Sequence, residues 1–297
     1  MSKRDLTTGS IPQILVRLAL PMMLGIMSMV AFNLIDTYFV GKLGKKELAA
    51  LTFTFPIILI VFSIIQGLGM GVTALIAKSI GRNDRKKAAR ETTDSIILTL
   101  ILTGSFVIIG LLTIGQVLKI LGADGETAAM AKEYLQIWFI ALFFVSAPFV
   151  GNSAIRATGD TQTPTYIMLF AVLINAILDP ILIFGYFGLP AMGLRGAAIA
   201  TAISRGMTMI FSFYILIKRE KLITFEIPSR QVIIGCWKSI LYIALPSGLA
   251  RLVVPIATGV ITAMLASYGE FAVAAYGVGS RIEFLANSVI FALAACI

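Results

Sequence analysis

The chain has 297 residues, of which 58% are hydrophobic and 13% charged, with a formal net charge of +9 and a mean hydropathy of +0.95. A soluble core of this length cannot hide that much apolar surface, and irregular backbone cannot face lipid, so the class is an all-α integral membrane bundle. With no histidine and only Cys236 and Cys296, histidine catalysis, haem ligation, most zinc sites and a disulfide framework are excluded, and no cofactor is expected.

The polar stretch Met1 to Gln13 comes first. The apolar run behind it is too long for a signal-peptide core and lacks a small-residue cleavage site, so it reads as a retained helix. Eight apolar spans of about 20 residues or more follow, near 15–40, 48–77, 95–118, 132–155, 166–185, 196–217, 240–266 and 272–297. Period-2 alternation, the mark of a membrane barrel, is absent. Turn signals separate the spans: Gly41 and Gly44, then Gly81-Arg82-Asn83-Asp84, then Thr158-Gly159-Asp160 with Pro164 opening the fifth.

The basic residues sit between spans. Fifteen of the 24 (Lys3, Arg4, Arg17, Lys78, Arg82, Arg85, Lys86, Lys87, Arg90, Arg156, Lys218, Arg219, Lys221, Arg230 and Lys238) fall on one side, and six on the other. The richer side is expected to be cytoplasmic, which puts the N-terminus inside a prokaryotic inner membrane. The charge therefore reads as orientation, and no nucleic-acid partner is expected: no basic patch interleaved with aromatics stands on a soluble module.

Two acids break the apolar pattern: Asp36 in the first span and Asp179 in the fifth. A charge at membrane depth costs about 2.5–3.5 kcal/mol on insertion scales, and acids kept there usually belong to an ion or proton pathway. Asp36 lies about 7 Å below the outer end of its span, at 1.5 Å per residue, and Asp179 lies at nearly the same depth. Thr201, early in the sixth span, is level with them. Asn175 and Asp179 are i,i+4 and share a helix face, as do Asn33 and Asp36 at i,i+3. Such a cluster can hold a proton between two carboxylates, or bind Na⁺ through oxygens of Asp36, Asn175, Asp179 and Thr201. Pro21 weakens the helix ladder before Asp36 and is a hinge candidate. Weaker candidates are Tyr134 and Gln136 as cavity lining, and the arginines Arg205, Arg251 and Arg281 that fall inside spans.

Leu18-Ala19-Leu20-Pro21 reappears as Ile243-Ala244-Leu245-Pro246, an offset of 225 residues. Thr37 then meets Thr262, Gly44 meets Gly269, and Ala49-Ala50 meets Ala274-Ala275 without a slip of register. Six helices separate the copies, so the repeat is parallel. The expected organisation is a six-helix lobe over 1–225 and the first two helices of a second, incomplete lobe over 226–297. On that reading the 297-residue chain folds its first lobe and does not transport by itself.

The motifs Asp36-Thr37-Tyr38-Phe39-Val40-Gly41-Lys42-Leu43-Gly44, Arg156-Ala157-Thr158-Gly159-Asp160-Thr161-Gln162-Thr163-Pro164, Asn175-Ala176-Ile177-Leu178-Asp179-Pro180 and Gly193-Leu194-Arg195-Gly196-Ala197-Ala198-Ile199-Ala200-Thr201 resemble the multidrug and toxic compound extrusion (MATE) family of antiporters. So does Ala274-Ala275-Tyr276-Gly277-Val278-Gly279-Ser280-Arg281-Ile282-Glu283. The resemblance implies a V-shaped transporter of two six-helix lobes that exchanges H⁺ or Na⁺ for organic cations and amphiphilic drugs. No enzyme activity is expected, since no nucleophile–base or metal constellation appears, and the expected partners are membrane lipid and small amphiphilic or cationic substrates, with no obligate protein partner. The family's first-helix aspartate maps to Asp36, its fifth-helix pair to Asn175 and Asp179, and its sixth-helix threonine to Thr201. The seventh span carries no acid, and Ile261 stands at the repeat position of Asp36, which implies coupling through the first lobe alone, as in the DinF-like and archaeal branches. The alternatives are a lipid-linked saccharide flippase of the same superfamily, which needs cavity arginines for a pyrophosphate, and a non-transporting membrane scaffold.

Overall fold

The structure is a computed structural model that describes residues 11–226 and 228–294. The polar start through Ser10, with Lys3 and Arg4 of the basic count, and the chain end with Cys296 and Ile297 lie outside the described residues. The elements are α1 (Ile11–Gly41), α2 (Lys45–Gly81), α3 (Arg85–Ile120), α4 (Gly125–Ala157), α5 (Gln162–Phe184), α6 (Gly193–Tyr214), α7 (Arg230–Arg251), α8 (Val253–Ala266) and α9 (Glu270–Ala294). A 3-10 turn (Tyr186–Gly188) follows α5, and a π-helical turn (Ile215–Arg219) extends α6. No strand occurs among the described residues.

Among the described residues, seven passages are long and apolar enough to cross a bilayer: α1 to α6 and the combined α7–α8. This is a multi-pass helical membrane protein. Its exposed surface agrees. Ile101, Ile108, Ile109 and Leu112 of α3 and Leu173 and Ile177 of α5 stand exposed. Such a surface would aggregate in water and suits hydrocarbon.

The helices outrun the apolar windows. At 1.5 Å per residue the 36 residues of α3 reach about 54 Å, against about 30 Å of hydrocarbon. α3 begins ten residues before the expected span at 95, where the side chain of Asp84 accepts from the Lys87 amide at 3.0 Å. An apolar window finds the lipid-buried part of a helix and misses the capped turns beyond it. The seventh expected span, 240–266, is two helices broken at Leu252. Pro255 has no N–H for the carbonyl of Arg251, which opens the ladder there. The Ser63 hydroxyl lies 3.3 Å from that carbonyl and partly satisfies it.

Short connections at 42–44, 82–84, 121–124 and 158–161 make sequential helices antiparallel. One end of the bundle therefore holds Gly44 and the other holds Asp160. α4 is the central pillar, packed on by α2, α3 and α6, and α1 lies against α5. A larger apolar core, with Leu135, Trp138, Leu142 and Ile183, fills the Gly44 half. A smaller one, with Ile76, Ile155, Leu216 and Ile240, fills the Asp160 half. Buried hydroxyls tie neighbouring helices, as in Thr103 to Ser146 at 2.8 Å and Ser212 to Asn152 Oδ1 at 2.9 Å.

The repeat is visible in the backbone. α1 ends at Gly41 and α8 at Ala266, while α2 begins at Lys45 and α9 at Glu270, both boundaries displaced by 225 residues. Thr37 donates to the carbonyl of Asn33 at 2.6 Å, and Thr262 repeats this with Thr258 at 2.8 Å. The copies differ at their middles, since α1 runs unbroken through Pro21.

The segment joining the two copies is tied to α3 and the α4–α5 turn. Arg219 donates to Asp160 and, at 2.9 Å, to Thr163 Oγ1. Thr224 donates its amide to Thr93 Oγ1 at 3.0 Å, Arg90 donates to the Glu226 carbonyl, and Leu222 is buried. Burial alone raises the Asp160 carboxyl, but bonds from the Thr163 hydroxyl and amide and the Arg219 charge outweigh it and hold the group below the usual carboxylate range.

α7 meets α2 at backbone distance. A Cβ on Gly67 would stand 2.6 Å from the Ala244 carbonyl oxygen and 2.9 Å from the Gly248 Cα, and one on Gly71 would stand 2.6 Å from the Ile240 carbonyl oxygen. Small residues four apart permit this approach, as in membrane helix pairs generally. Gly67→Leu must push α7 away, with an overpacking penalty of about 1–3 kcal/mol. Its melting temperature in detergent should fall clearly below that of Gly81→Leu, where the added side chain meets open space. Equal melting of the two variants would show that the α2–α7 approach does not hold the fold together.

Candidate functional site

α1 carries Asp36 five residues before its end, and the side chain is buried. α5 carries Asn175 and Asp179 one turn apart on the face it turns to its neighbours, both fully buried. Asn175 Nδ2 donates to Asp179 Oδ1 at 3.1 Å. The carboxyl of Asp36 lies within hydrogen-bonding reach of both Asp179 and Asn175. The packing of α1 against α5 thus brings three of the expected residues into one contact.

Thr201 joins through α6. Thr201 and Arg205 are i,i+4 on that helix, and Phe32 and Asp36 are i,i+4 on α1. The guanidinium of Arg205 sits 4.2 Å from the centre of the Phe32 ring. The helices run in opposite directions, so the register that sets Arg205 against Phe32 sets Thr201 level with Asp36. No direct hydrogen bond joins Thr201 to the carboxylates.

Unsatisfied oxygens single this cluster out. Among the described residues, five buried side-chain polar atoms lack a hydrogen-bond partner. Four are Asp36 Oδ1, Asn175 Oδ1, Asp179 Oδ2 and Thr201 Oγ1, and the fifth is Asp94 Oδ1 near the other end of the bundle. A buried acceptor without a donor costs about 1–3 kcal/mol, more when charged, so four from neighbouring residues are costly unless something fills them. All four are hard oxygen donors, which suits a proton or Na⁺ and not a soft metal. Among the described residues no group of three His, Cys, Asp or Glu side chains converges as a metal site.

Charge surrounds the acids. Tyr134 of α4 is buried within electrostatic range of Asp36, Asp179, Arg205 and Arg281. Arg281 of α9 is 4% exposed, stacks 4.9 Å from the Phe55 ring and donates to the Gly277 carbonyl at 3.0 Å.

Other candidates fall elsewhere. Asn33 donates to the Met29 carbonyl of its own helix at 2.9 Å. Gln136 is exposed, because residues two apart on a helix point about 200° apart and Tyr134 takes the inward face. Arg251 is exposed at the α7–α8 break and donates to Gln66 Oε1 at 3.0 Å. Pro21 does not break α1; its carbonyl accepts from Thr165 Oγ1 at 2.7 Å, which pins the first half of α1 to α5.

Sequence reasoning missed a second polar cluster. Glu91 and Asp94 of α3 are buried, Ser79 donates to Glu91 at 2.6 Å, and Arg90 pairs with Asp94 at 3.3 Å. They line a cavity of about 330 Å³ with Lys78, Arg82 and Ser239. The i,i+3 spacing of the two acids was the available signal. They lie just before the apolar span at 95, where charges read as solvated loop. The ring platforms Phe32 and Phe55 were missed too, since a phenylalanine in an apolar helix has no distinguishing neighbour in sequence.

The fold and the buried cluster define a polytopic helical membrane protein with an acid–amide–hydroxyl cluster in its interior. The MatE family profile matches residues 21–181, a stretch that includes Pro21, Asp36, Asn175 and Asp179. The chain belongs to that family. It is 36% identical to a FAD transporter of Shewanella oneidensis over 98% of this chain and 64% of that one. It is 31% identical to the multidrug export protein MepA of Staphylococcus aureus over 93% of this chain and 60% of that one. A solved MOP superfamily transporter from Pyrococcus furiosus, described as having a binding pocket of reverse polarity, superposes on the whole chain with a TM-score of 0.86 at 31% identity, over 65% of its own length. The chain thus spans less than two thirds of the length of these relatives.

The Thr165–Pro21 bond yields a test of how α1 is held. Thr165→Val should cost about 1 kcal/mol in stability. Backbone hydrogen exchange should accelerate around 20–26 and stay unchanged around 36–41. Uniform exchange along α1 would show that the bond does not pin its first half.

Proposed function

We propose that the transporter containing this chain exports organic cations and other amphiphilic molecules across a prokaryotic cytoplasmic membrane in exchange for H⁺ or Na⁺. The observation that carries the proposal is the contact of Asp36 with Asp179 and Asn175, with an unsatisfied oxygen on each. Two buried carboxylates in contact repel, and the pair is relieved by a cation between them. A shared proton does this, and so does Na⁺ held by the four oxygens. Asp36 and Asp179 accept the ion, while Asn175 and Thr201 complete its surroundings. The coupling ion is cargo, and neither a cofactor nor a protein partner is needed. In this reading 1–225 is one lobe and 226–297 the start of the second, with substrate carried between them. The N-terminus and the Asp160 end are cytoplasmic, consistent with the basic-residue count. Loading the ion releases α1 from its packing, reshapes the cavity and expels substrate. Multidrug export by MepA supports this substrate class.

A second reading, carriage of a phosphate-bearing amphiphile, is favoured by Arg205 and Arg281 beside the acids and by the FAD transporter relative. Uptake of ethidium and of flavin dinucleotide into proteoliposomes of the full-length protein separates the two. Ethidium driven by an H⁺ or Na⁺ gradient is the expected result, and flavin uptake alone selects the second reading.

Asp36→Asn in the full-length protein should abolish gradient-driven transport, by at least a hundredfold, with normal expression and melting. Unchanged drug resistance in an efflux-deficient host would sink the coupling role. Topology is checked separately with single cysteines. Position 86 should react only with reagents reaching the cytoplasm, and position 124 only with reagents outside. The reverse pattern would invert the orientation and move the acid cluster to the inner leaflet.

A further inference from the structure

We propose that Arg281 couples the net charge of the Asp36–Asp179 pair to the seating of the second lobe on the first. The proposal rests on the acid-pair reading above.

Arg281 is almost wholly buried, yet among the described residues no carboxylate lies within ion-pair distance of it. Its stacking on Phe55 and its bond to the Gly277 carbonyl offset only part of the loss of water. Arg205 is in the same position, stacked on Phe32 without an acid partner. The charges of both reach Asp36. Two guanidiniums within charge range of Asp36, that of Arg281 buried and that of Arg205 half-buried, and the two buried carboxyl groups therefore come from four helices. Tyr134 of α4 is the further titratable side chain facing them, and α2 contributes the uncharged Thr52 and Phe55. Lys45 and Glu270 belong to the rim at the Gly44 end, where Lys45 covers Phe271 and Glu270 accepts from Thr127.

The helices that carry these charges differ in their freedom. Asp36, Asp179 and Arg205 sit on α1, α5 and α6, which pack on one another within the first lobe. Arg281 arrives from the second lobe on α9, which packs on α1 and α2 with Gly277 seated against Thr52. When a cation neutralises an acid, a positive charge is left over in a buried space. Arg205 cannot leave without unpacking its own lobe. Arg281 can leave with α9, which is held to the first lobe by Val273 and Ala274 in the larger apolar core, by Gly277 against Thr52 and by polar bonds at the rim. Loading the acid pair thereby favours parting of the lobes at the Gly44 end.

A double-mutant cycle in the full-length protein tests this. Spin labels at 119 on α3 and 268 before α9, both exposed, report the separation of the lobes at that end. Asp36→Asn, which imitates a neutralised acid, should shift the population toward the longer distance by about 5–150-fold. Arg281→Gln alone removes the sensor, and the double variant restores balance, so its distances should return to the short population. Arg281→Lys keeps the charge, and Asp36→Asn should still lengthen the distance in that background. Arg281→Met, which keeps the stem against Phe55, replaces Gln if that variant melts early. A lengthening by Asp36→Asn that persists in both Gln and Met backgrounds overturns the proposal. So does a Lys variant that behaves as Gln does, since that would make the role of Arg281 shape and not charge. These outcomes are read from distances, whereas the acid-pair reading stands or falls on Asp36→Asn transport, so the two can fail separately.

Discussion

Two carboxylates share a space from which water is excluded, and the polar organisation of this bundle follows from that. In a low-dielectric interior their repulsion is much stronger than in water, and neither can turn to solvent. The surroundings answer with distributed positive charge and donors. Asn175 donates to Asp179, and Arg205 and Arg281 stand near Asp36 without pairing to it directly. A direct ion pair would hold each acid permanently ionised. Arginines parked on phenyl rings leave Asp36 Oδ1 and Asp179 Oδ2 without a hydrogen-bond partner.

The scaffold is built so that the cluster stays aligned while other parts retain freedom. Among α1 to α6, α4 anchors the packing and hydroxyl bonds such as Thr103–Ser146 fix helix against helix. Between the copies of the repeat the contacts differ in kind. α2 and α7 meet backbone to backbone through Gly67, Gly71 and Gly248 along a narrow seam. The joining segment is tied to the Asp160 end by Arg219, Thr224 and Arg90. At the Gly44 end Val273 and Ala274 enter the larger apolar core, with rim polar bonds and the small seat of Gly277 on Thr52 beside them. The two ends of the bundle are thus held by different physics.

The two halves of the repeat have diverged at their middle. In the second copy Ser63 approaches the Arg251 carbonyl that Pro255 leaves free, while in the first Thr165 donates to the carbonyl of Pro21 itself. The first copy keeps a straight helix with an acid near its end, and the second keeps a broken one with Ile261 in that place. An acid stands at this position in the first copy only. The second contributes its arginine from α9.

Much of this was legible in the order of residues. Lipid as solvent demands helices with apolar windows, so the class and the spans follow from composition. A carboxylate in such a window is too costly to be incidental, which is why Asp36 and Asp179 stand out without any structure. The 225-residue repeat is likewise a property of the chain, and helix boundaries keep its register. What linear order could not supply is which faces meet. That Asp36 comes within reach of Asp179, that Arg281 of α9 is buried within charge range of Asp36, and that Gln136 points away while Tyr134 points in depend on helix rotation and on packing between segments over a hundred residues apart. The cluster at Glu91 and Asp94 escaped for the same reason: an acid at the edge of a span looks solvated until another helix, here α7 with Trp237 bonded to the Asp94 carbonyl at 3.0 Å, is seen to cover it.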